Sequence, residues 1–136
     1  MDIYEQLRRD EGFRTHPYTD TKGKLTIGYG RNLTGKGISL IEAEYLLGND
    51  VPETKQILIA RLPWFVALDD SRQGVLQNMG FNLGFEELEK FPRLLMACAQ
   101  GDWNAAADEM KNSLWYKEVG DRAVRLEKQM RTGIWT

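Results

Sequence analysis

The chain has 136 residues, of which 42% are apolar and 28% charged, and its formal net charge is −2; this composition is typical of one globular domain and excludes a disordered chain. The slight acidic balance disfavours nucleic acid as a partner, and no apolar run is long enough to span a membrane. With one cysteine, Cys98, and one histidine, His16, the sequence predicts no disulfide, no metal site and no cofactor.

The N-terminal segment predicts a short amphipathic helix over residues 2–11, because its apolar side chains recur at helical spacing. Asp2 is placed to cap the start of this helix and Gly12 to end it, which leaves Glu11 at the helix end. The segment lacks the basic start and the apolar centre of a signal peptide. We therefore expect synthesis in the cytoplasm without a signal peptide.

The helical spacing of apolar residues ends before residue 13. In residues 13–34 glycines separate short runs of strand-forming residues, and this pattern predicts a small antiparallel sheet or hairpin. The sequence Asp-Thr-Lys-Gly at 20–23 is typical of a turn between two strands. The turn carries Asp20, and the strand behind it carries Thr26. A helix end followed by this hairpin would bring Glu11, Asp20 and Thr26 to one wall of a cleft.

The rest of the chain predicts helices. Ser39 and Glu42 form a capping-box pattern at the start of a helix that runs to about residue 47. A second helix is predicted over 50–61, with Pro52 confined to its first turn. Further helices are predicted over residues 69–81, 85–90, 92–100, 102–112 and 120–130.

These elements predict an α+β architecture that forms a single domain, residues 1–136. A small sheet-bearing front lobe takes in about residues 12–50, and a larger helical rear lobe takes in about residues 51–136 together with the N-terminal helix 1–11. We expect a cleft between the lobes to receive an extended ligand, and we expect a monomer.

Glu11, Asp20 and Thr26 match the chemical needs of glycoside hydrolysis. One carboxyl group must donate a proton to the leaving oxygen, while a second, ionised group activates water or attacks the sugar. The Thr26 hydroxyl is suited to holding that water. The spacing alone leaves another interpretation open, in which Glu11 pairs with a nearby arginine and Asp20 only forms an Asx-turn.

The motifs around these three residues resemble those of the bacteriophage-type lysozyme family. That family's pattern is Glu, eight residues, Asp, five residues and Thr, followed by glycines, and Glu11, Asp20 and Thr26 stand at this spacing. The resemblance covers nearly the whole chain and includes Asp-Glu-Gly at 10–12, Tyr-Thr-Asp-Thr-Lys-Gly at 18–23, Leu-Thr-Ile-Gly-Tyr-Gly at 25–30, the segment 78–84 and the C-terminal residues 102–135.

The resemblance implies a lysozyme-like fold and an endolysin that hydrolyses the β-1,4 bond between N-acetylmuramic acid and N-acetylglucosamine in bacterial peptidoglycan, with inversion and with lysis of the host cell. Glu11 is then the general acid and Thr26 orders the water. Asp20 either positions or activates that water or stabilises positive charge on the sugar. Such an enzyme acts on the cell wall after release from the cytoplasm. The alternative is a peptidoglycan-binding or scaffolding protein that keeps the fold with weak or no turnover.

Two arginines are assigned supporting roles by the same resemblance. Arg122 matches an arginine that meets the catalytic glutamate from the rear lobe. Arg31 stands where relatives often have a histidine that pairs with an aspartate. Asp50 would occupy the place of that aspartate, so the sequence predicts an Arg31–Asp50 ion pair.

Candidate substrate contacts are Leu33, Phe81 and Asn82, because a sugar ring offers an apolar face and a polar rim. Core packing is the alternative for Phe81. Between Thr34 and Ser39 the chain has four residues, where larger relatives carry extra sheet and loop. We therefore expect the outlying sugar-binding positions to differ from those of larger relatives.

Overall fold

A three-stranded antiparallel sheet and eight α-helices make up the chain, which a computed structural model describes over residues 1–136. The elements in chain order are α1 (Ile3–Glu11), β1 (Arg14–Thr19), β2 (Leu25–Gly28), β3 (Arg31–Asn32), α2 (Leu40–Arg61), a 3-10 helix (Phe65–Ala67), α3 (Asp70–Leu83), α4 (Phe85–Leu88), α5 (Pro92–Gln100), α6 (Trp103–Lys111), α7 (Leu114–Val119) and α8 (Asp121–Thr132). This content confirms the predicted α+β class. None of the helices combines the length and the apolar character that a bilayer crossing requires.

The chain divides into two compact units, Met1–Leu47 and Gly48–Thr136, and the division falls within α2. The first unit contains α1 and the sheet, whereas the sequence analysis assigns the N-terminal helix to the rear lobe. The single-domain assignment stays a prediction. All buried apolar side chains lie in the second unit, and the largest fully buried ones are Phe65, Leu58, Leu76, Met79, Leu88, Leu94, Met110 and Met130.

Local hydrogen bonds fix both ends of α1 as the sequence predicts. The Glu5 N–H donates to Asp2 Oδ1 at 2.8 Å, and the Asp2 N–H donates to the Glu5 carboxylate at 3.0 Å, which completes a capping box. Gly12 follows the helix with φ +68°, and its N–H donates to the carbonyl of Arg8. Glycine adopts this conformation at little cost, so the helix ends at Glu11.

The sheet is a β1–β2–β3 meander with a register shift in its first hairpin. β1 pairs with β2 at Arg14–Gly28 and again at Tyr18–Thr26, so β1 advances four residues while β2 advances two. Pro17 lies inside the shifted stretch and has no N–H to donate to a neighbouring strand. The missing donor accounts for a break in the pairing at this place.

Helix α2 is continuous over 22 residues, and the prediction of two separate helices is wrong. The predicted capping box is present, because the Glu42 N–H donates to Ser39 Oγ and the Ser39 N–H donates to Glu42 Oε1. Pro52 lies in the helix interior. It removes one N–H, the donor that would face the carbonyl of Gly48, and the turns on both sides keep their own hydrogen bonds.

The second unit follows the helices predicted from residue 69 onward closely, and it adds the 3-10 helix and helix α7. Helix α7 falls between the predicted helices and is capped by Ser113, whose Oγ accepts the Tyr116 N–H at 3.2 Å. Its buried Trp115 joins the core of the second unit. The helix has six residues, which is too short for a repeating apolar pattern to emerge from the sequence.

Candidate active site

The carboxyl group of Glu11 lies against the backbone of Gly30. Its Oε2 atom is 2.7 Å, and its Cδ atom 2.9 Å, from the position that a Cβ on residue 30 would occupy. Gly30 also has φ +77°, a backbone conformation that residues other than glycine rarely adopt. Glycine is therefore needed here both for the space that it leaves open and for its backbone conformation.

The pairing of β1 with β2 explains why the end of α1 meets this turn. If the pair Arg14–Gly28 is extended by one residue on each strand, Phe13 stands opposite Tyr29. The rings of Phe13 and Tyr29 do meet there, with centroids 5.4 Å apart. One residue further along each of the two strands, the pairing leads to the end of α1 on one side and to the turn beyond Tyr29 on the other. Strand pairing thus sets the position of the helix end.

Asp20 begins the turn between β1 and β2, as predicted. Its Oδ1 atom accepts the N–H of Lys22 at 2.9 Å and the N–H of Lys24 at 2.8 Å, which is the Asx-turn that the sequence analysis left open. The backbone also closes the turn, because the Gly23 N–H donates to the Asp20 carbonyl at 3.1 Å. One carboxylate oxygen is therefore used in the turn, while Oδ2 forms no hydrogen bond within the protein.

Thr26 is the one buried residue of the first unit, with 4% of its surface exposed. Its hydroxyl donates to the carbonyl of Lys24 at 3.0 Å. The Lys24 N–H is the same group that donates to Asp20 Oδ1. The backbone of Lys24 therefore holds the Asp20 carboxylate on one side and the Thr26 hydroxyl on the other.

The first unit thus places three groups suited to glycoside hydrolysis on one short stretch of chain. A carboxyl group lies on the backbone of Gly30, and a second carboxyl group and a hydroxyl share the backbone of Lys24. The Thr26 hydroxyl has committed its proton to a carbonyl, so it can only accept a hydrogen bond from a water. No group of three or more His, Cys, Asp or Glu side chains is placed to hold a metal ion.

Arg31 pairs with Glu42, and the predicted partner Asp50 is wrong. Nη2 of Arg31 lies 2.6 Å from Glu42 Oε2, Nη1 donates to Glu42 Oε1 at 2.8 Å, and Nη1 also donates to the carbonyl of Gly37 at 3.1 Å. The Ser39 N–H already orients Glu42 Oε1, so the carboxylate presents both oxygens to the flat guanidinium group. The hydrogen bond from Arg31 is the largest of the effects that lower the pKa of Glu42 to about 2, and the bonds from Ser39 add to it. The same bond to Glu42 raises the pKa of Arg31.

Leu33 lines an apolar pocket of about 670 Å³ in the first unit, which lies between the sheet and the first turns of α2. The pocket is also lined by Ile27, Tyr29, Arg31, Ile38, Ile41, Glu42, Tyr45 and Leu46. Ile27 alternates with Thr26 along β2, so the two side chains point to opposite faces of the sheet. Leu33 therefore shares the face of Ile27 and not that of Thr26.

The other candidate substrate contacts lie in the second unit. Phe81 is 47% exposed and borders a pocket of about 260 Å³, which Asp50 also lines. Asn82 is exposed in the last turn of α3. The roles of Phe81 and Asn82 in binding substrate stay predictions.

Arg122 is held by Asn78 at the neighbouring helix α3. Its Nε donates to Asn78 Oδ1 at 2.8 Å, and its Nη2 donates to the Asn78 carbonyl at 3.3 Å. These two bonds fix the guanidinium group within the second unit. The predicted meeting of Arg122 with Glu11 stays a prediction.

Three residues hold side chains of the first unit in place in ways that the sequence does not predict. Gly30 had a readable signal, since two glycines two residues apart follow Thr26 closely. Glu42 was recognised as a helix cap, but its second partner Arg31 is eleven residues away. Lys24 had no signal at all, because it acts through its backbone.

Comparison with known proteins supports the resemblance. The sequence profile of the family described as phage lysozyme matches residues 8–131. A pre-baseplate central spike protein of Enterobacteria phage T4 is 32% identical, over 98% of this chain but only 28% of the spike protein. Two proteins of Dictyostelium discoideum, named "Probable T4-type lysozyme 2" and "Probable T4-type lysozyme 1", are 28% and 26% identical, over 96% of this chain and 94% of each relative.

The alignments also show that this chain is shorter than the matched part of its relatives. They extend over 161, 162 and 160 positions, whereas the chain has 136 residues. At least 24 positions of each alignment therefore have no counterpart in this chain. The placement of the missing part between Thr34 and Ser39 stays a prediction.

Proposed function

Because the chain belongs to the phage lysozyme family, we propose that it hydrolyses the β-1,4 bond between N-acetylmuramic acid and N-acetylglucosamine in bacterial peptidoglycan. The observation that carries this proposal is the grouping of Glu11 on Gly30 with Asp20 and Thr26 on the Lys24 backbone. A glycosidase that uses water directly needs an acid, a base and a group that orders the water.

In this mechanism Glu11 donates its proton to the glycosidic oxygen as the bond from that oxygen to the anomeric carbon breaks. Glu11 is exposed, and residue 30 has no side chain beside it. A glycan strand that crosses the turn at Gly30 can therefore bring its bridging oxygen to the carboxyl group. The electron pair of the broken bond stays on the leaving oxygen, which takes the proton.

A water molecule supplies the new bond to the anomeric carbon. Thr26 accepts one hydrogen bond from this water, since its own proton is given to the Lys24 carbonyl. Asp20 takes a proton from the water through Oδ2, the oxygen that the turn leaves unused. Attack from the face opposite the leaving group inverts the anomeric carbon, and it needs a separation of roughly 6.5–9.5 Å between the two carboxyl groups.

Clearing of a cell-wall suspension tests this proposal. Wild-type protein is expected to clear the suspension. Glu11→Gln is expected to lower the rate by roughly 10²–10⁴-fold, because a side-chain amide is too weak an acid to protonate the leaving oxygen. Equal rates for both proteins would remove Glu11 from the mechanism. New reducing ends among the products identify cleavage of the glycan, and release of free amino groups in their place would identify a peptidase.

A second candidate function is peptidoglycan binding or scaffolding with weak or no turnover. The observation that favours it is the 32% identity with a pre-baseplate central spike protein, of which this chain spans 28%. Co-sedimentation with purified walls separates the two functions. Wild-type protein that sediments with walls and releases no reducing ends supports scaffolding, whereas release of reducing ends supports the hydrolase.

We also propose where and in what form the chain works. It acts on the cell wall after release from the cytoplasm of a bacterial host, and its action leads to lysis. It acts as a monomer, since the acid, the base and the water-ordering hydroxyl all lie in the first unit of one chain. Induced expression together with a membrane-permeabilising agent is expected to lyse the host cells only when both are present, and sedimentation equilibrium is expected to give one chain mass.

A further inference from the structure

An arginine and a tyrosine lie on the same face of the first-unit sheet as Thr26. Tyr18 stands directly opposite Thr26 in the pairing of β1 with β2, and Arg14 stands opposite Gly28. Opposed residues of an antiparallel pair project to the same face of the sheet, and so do residues two apart on one strand. Arg14 and Tyr18 therefore share the face of Thr26. The apolar pocket that Ile27 lines lies on the other face.

A stacking contact orients the arginine on this face. The guanidinium carbon of Arg14 lies 4.7 Å from the centroid of the Tyr18 ring, which confirms that the two side chains project to the same side. Tyr18 is half-buried, whereas Arg14 is exposed, so the stacked guanidinium remains in contact with water. A guanidinium held flat on a ring keeps the N–H groups at its edge open to a further partner.

The Arg14 cation has no ionic partner within the protein. The ion pairs of the first unit leave Arg14 out, and they join Met1 to Glu5, Arg9 to Asp10 and Arg31 to Glu42. The hairpin of residues 13–28 carries three basic side chains and one acidic side chain, although the chain as a whole has a net charge of −2. An unpaired, oriented cation on a locally basic hairpin is suited to an anionic group of a ligand.

We propose that Arg14, held on Tyr18, binds a carboxylate of the N-acetylmuramic acid side chain and thereby selects glycans that contain this sugar. The proposal rests on the proposed function, because it takes the ligand to be a peptidoglycan strand that reaches Thr26. It makes Arg14 a determinant of substrate specificity and gives it no part in breaking the bond. The predicted substrate contacts, Leu33, Phe81 and Asn82, are uncharged and do not supply this recognition.

The chemistry of muramic acid suits this site. The sugar differs from glucosamine by a lactyl ether, which ends in a carboxyl group. That group is ionised when it is free, and carboxylates of the stem peptide take its place when a peptide is attached to it. A guanidinium binds a carboxylate through two parallel N–H···O bonds. Asp20 has to be ionised in the proposed reaction and repels an anionic substrate, so a cation on the same hairpin offsets this repulsion.

Binding of a charged and a neutral glycan tests the proposal without relying on turnover. The probes are chitotetraose, which has no carboxylate, and a tetrasaccharide of alternating N-acetylglucosamine and N-acetylmuramic acid with free lactyl groups. Each is titrated by calorimetry into the full-length Glu11→Gln protein, with and without Arg14→Gln. Arg14→Gln is expected to weaken binding of the muramic acid tetrasaccharide by about threefold to tenfold and to keep binding of chitotetraose within about twofold.

A third probe identifies which carboxylate is bound. It is the same tetrasaccharide with L-alanyl-D-glutamate joined to each lactyl group by an amide bond, so that the charge moves from the lactyl group to the peptide. A larger effect of Arg14→Gln on the free tetrasaccharide assigns the site to the lactyl carboxylate. A larger effect on the peptide form assigns it to the stem peptide. Added salt is expected to reduce the effect on either anionic probe, since it screens exposed charges.

Matched variants separate the charge of Arg14 from its packing. Lys36→Gln removes another exposed cation of the first unit and is expected to change each affinity by less than about twofold. Tyr18→Phe keeps the ring and is expected to keep the preference for the anionic glycan. Tyr18→Leu removes the stacking surface and is expected to lower that preference by about twofold to fivefold, the range of an exposed cation–π contact.

The outcomes separate this proposal from the proposed function. Equal losses for the charged and the neutral glycan would show that Arg14 only supports the fold. That result, or parent-like binding of both anionic glycans by Arg14→Gln, would overturn the proposal even if the wild-type protein clears walls. A loss confined to anionic glycans, with no clearing by the wild-type protein, would support this site and contradict hydrolysis. The same loss together with clearing supports both.

Discussion

The Glu11 carboxyl group occupies the space that a side chain on Gly30 would need, with Oε2 2.7 Å from the position of that Cβ. The acid and the glycine therefore form one structural element, although they stand nineteen positions apart in the sequence. A substitution at residue 30 acts on Glu11 without touching its charge, and this gives the first prediction.

Gly30→Ala is expected to displace Glu11 and to lower the rate of wall clearing by about 100-fold, the order expected when a catalytic group moves by ~1 Å. The matched control is Gly37→Ala, because Gly37 has φ +63° and open space around it. Both variants strain the backbone and are expected to lose about 1–2 kcal/mol of unfolding free energy. Urea unfolding measures this loss, and equal clearing by the two variants would contradict the positional role of Gly30.

Asp20→Asn and Asp20→Ala separate the charge of Asp20 from its place in the turn. Asparagine keeps an oxygen for the N–H groups of Lys22 and Lys24, so we expect this variant to fold normally and to lose roughly 10²–10⁴-fold of the rate. Alanine also removes the turn bonds and is expected to cost a further ~1–2 kcal/mol of stability. Circular dichroism during thermal unfolding and clearing rates give the two quantities. An active Asp20→Asn protein would exclude Asp20 as the base.

Thr26→Val replaces the buried hydroxyl by a methyl group of similar size. The variant loses the bond to the Lys24 carbonyl and the acceptor for the water, so we expect the clearing rate to fall by roughly threefold to tenfold or more. Thr26→Ser keeps the hydroxyl and is expected to retain most of the rate. If valine and serine behave alike, the hydroxyl has no part in the reaction.

The Arg31–Glu42 pair is expected to make stability depend on acid pH. The folded-state pKa of Glu42 is lowered from 4.5 to about 2, mainly by the hydrogen bond from Arg31. The contribution of the pair is therefore fully present above pH 4.5, declines as the pH falls, and is lost by about pH 2. Glu42→Gln keeps an oxygen for the helix cap and serves as the comparison.

Urea midpoints measured from pH 7 to pH 2 check this dependence. The wild-type protein is expected to be the more stable at pH 7, and the difference from Glu42→Gln is expected to shrink below pH 4.5. A constant difference over this range would show that Glu42 carries no pH-dependent stability. Substitution of Asp50 by asparagine is not expected to reproduce the effect, since Arg31 pairs with Glu42.

Arg72 is expected to be a strong determinant of stability in the second unit. Its Nε donates to the Met130 carbonyl at 2.7 Å and its Nη2 to the Arg131 carbonyl at 3.2 Å, and its guanidinium lies 4.3 Å from the ring centroid of Trp103. Arg72→Ala leaves these carbonyls at the end of α8 without a donor, so we expect a loss of about 2–4 kcal/mol. The exposed Arg93→Ala is expected to stay within about 0.5 kcal/mol, and similar losses for both would contradict this role.

Local features of this fold could be predicted from the sequence, and the reason is visible at α1 and the first turn. The capping box of Asp2 and the Asx-turn of Asp20 each involve residues no more than four positions apart. A short sequence pattern contains all the partners of such an interaction. The same holds for the Ser39 capping box, and the positions of Glu11, Asp20 and Thr26 follow from these local elements.

Longer-range features could not be predicted, for reasons that differ between residues. Pro52 weakens a helix by removing one hydrogen bond, but whether the helix continues depends on its packing, and Leu58 further along α2 is buried in the core. Arg31 could pair with any nearby carboxylate, and the orientation of Glu42 by Ser39 decided the choice. The approach of Glu11 to Gly30 depends on strand register, which the bulge in β1 alters.

That bulge has a consequence for protein engineering. Asp20 is tied to β2 through the Lys24 backbone, and Glu11 is tied to the turn after β2 through Gly30. The length of β2 and its turn, rather than the number of residues in β1, therefore fixes how far apart the two acids stand. The stretch 15–17 contains the two residues by which β1 outruns its partner. We therefore expect that a spectroscopic label or an affinity tag inserted in this stretch, or a deletion of two of its residues, changes the spacing of Glu11 and Asp20 least.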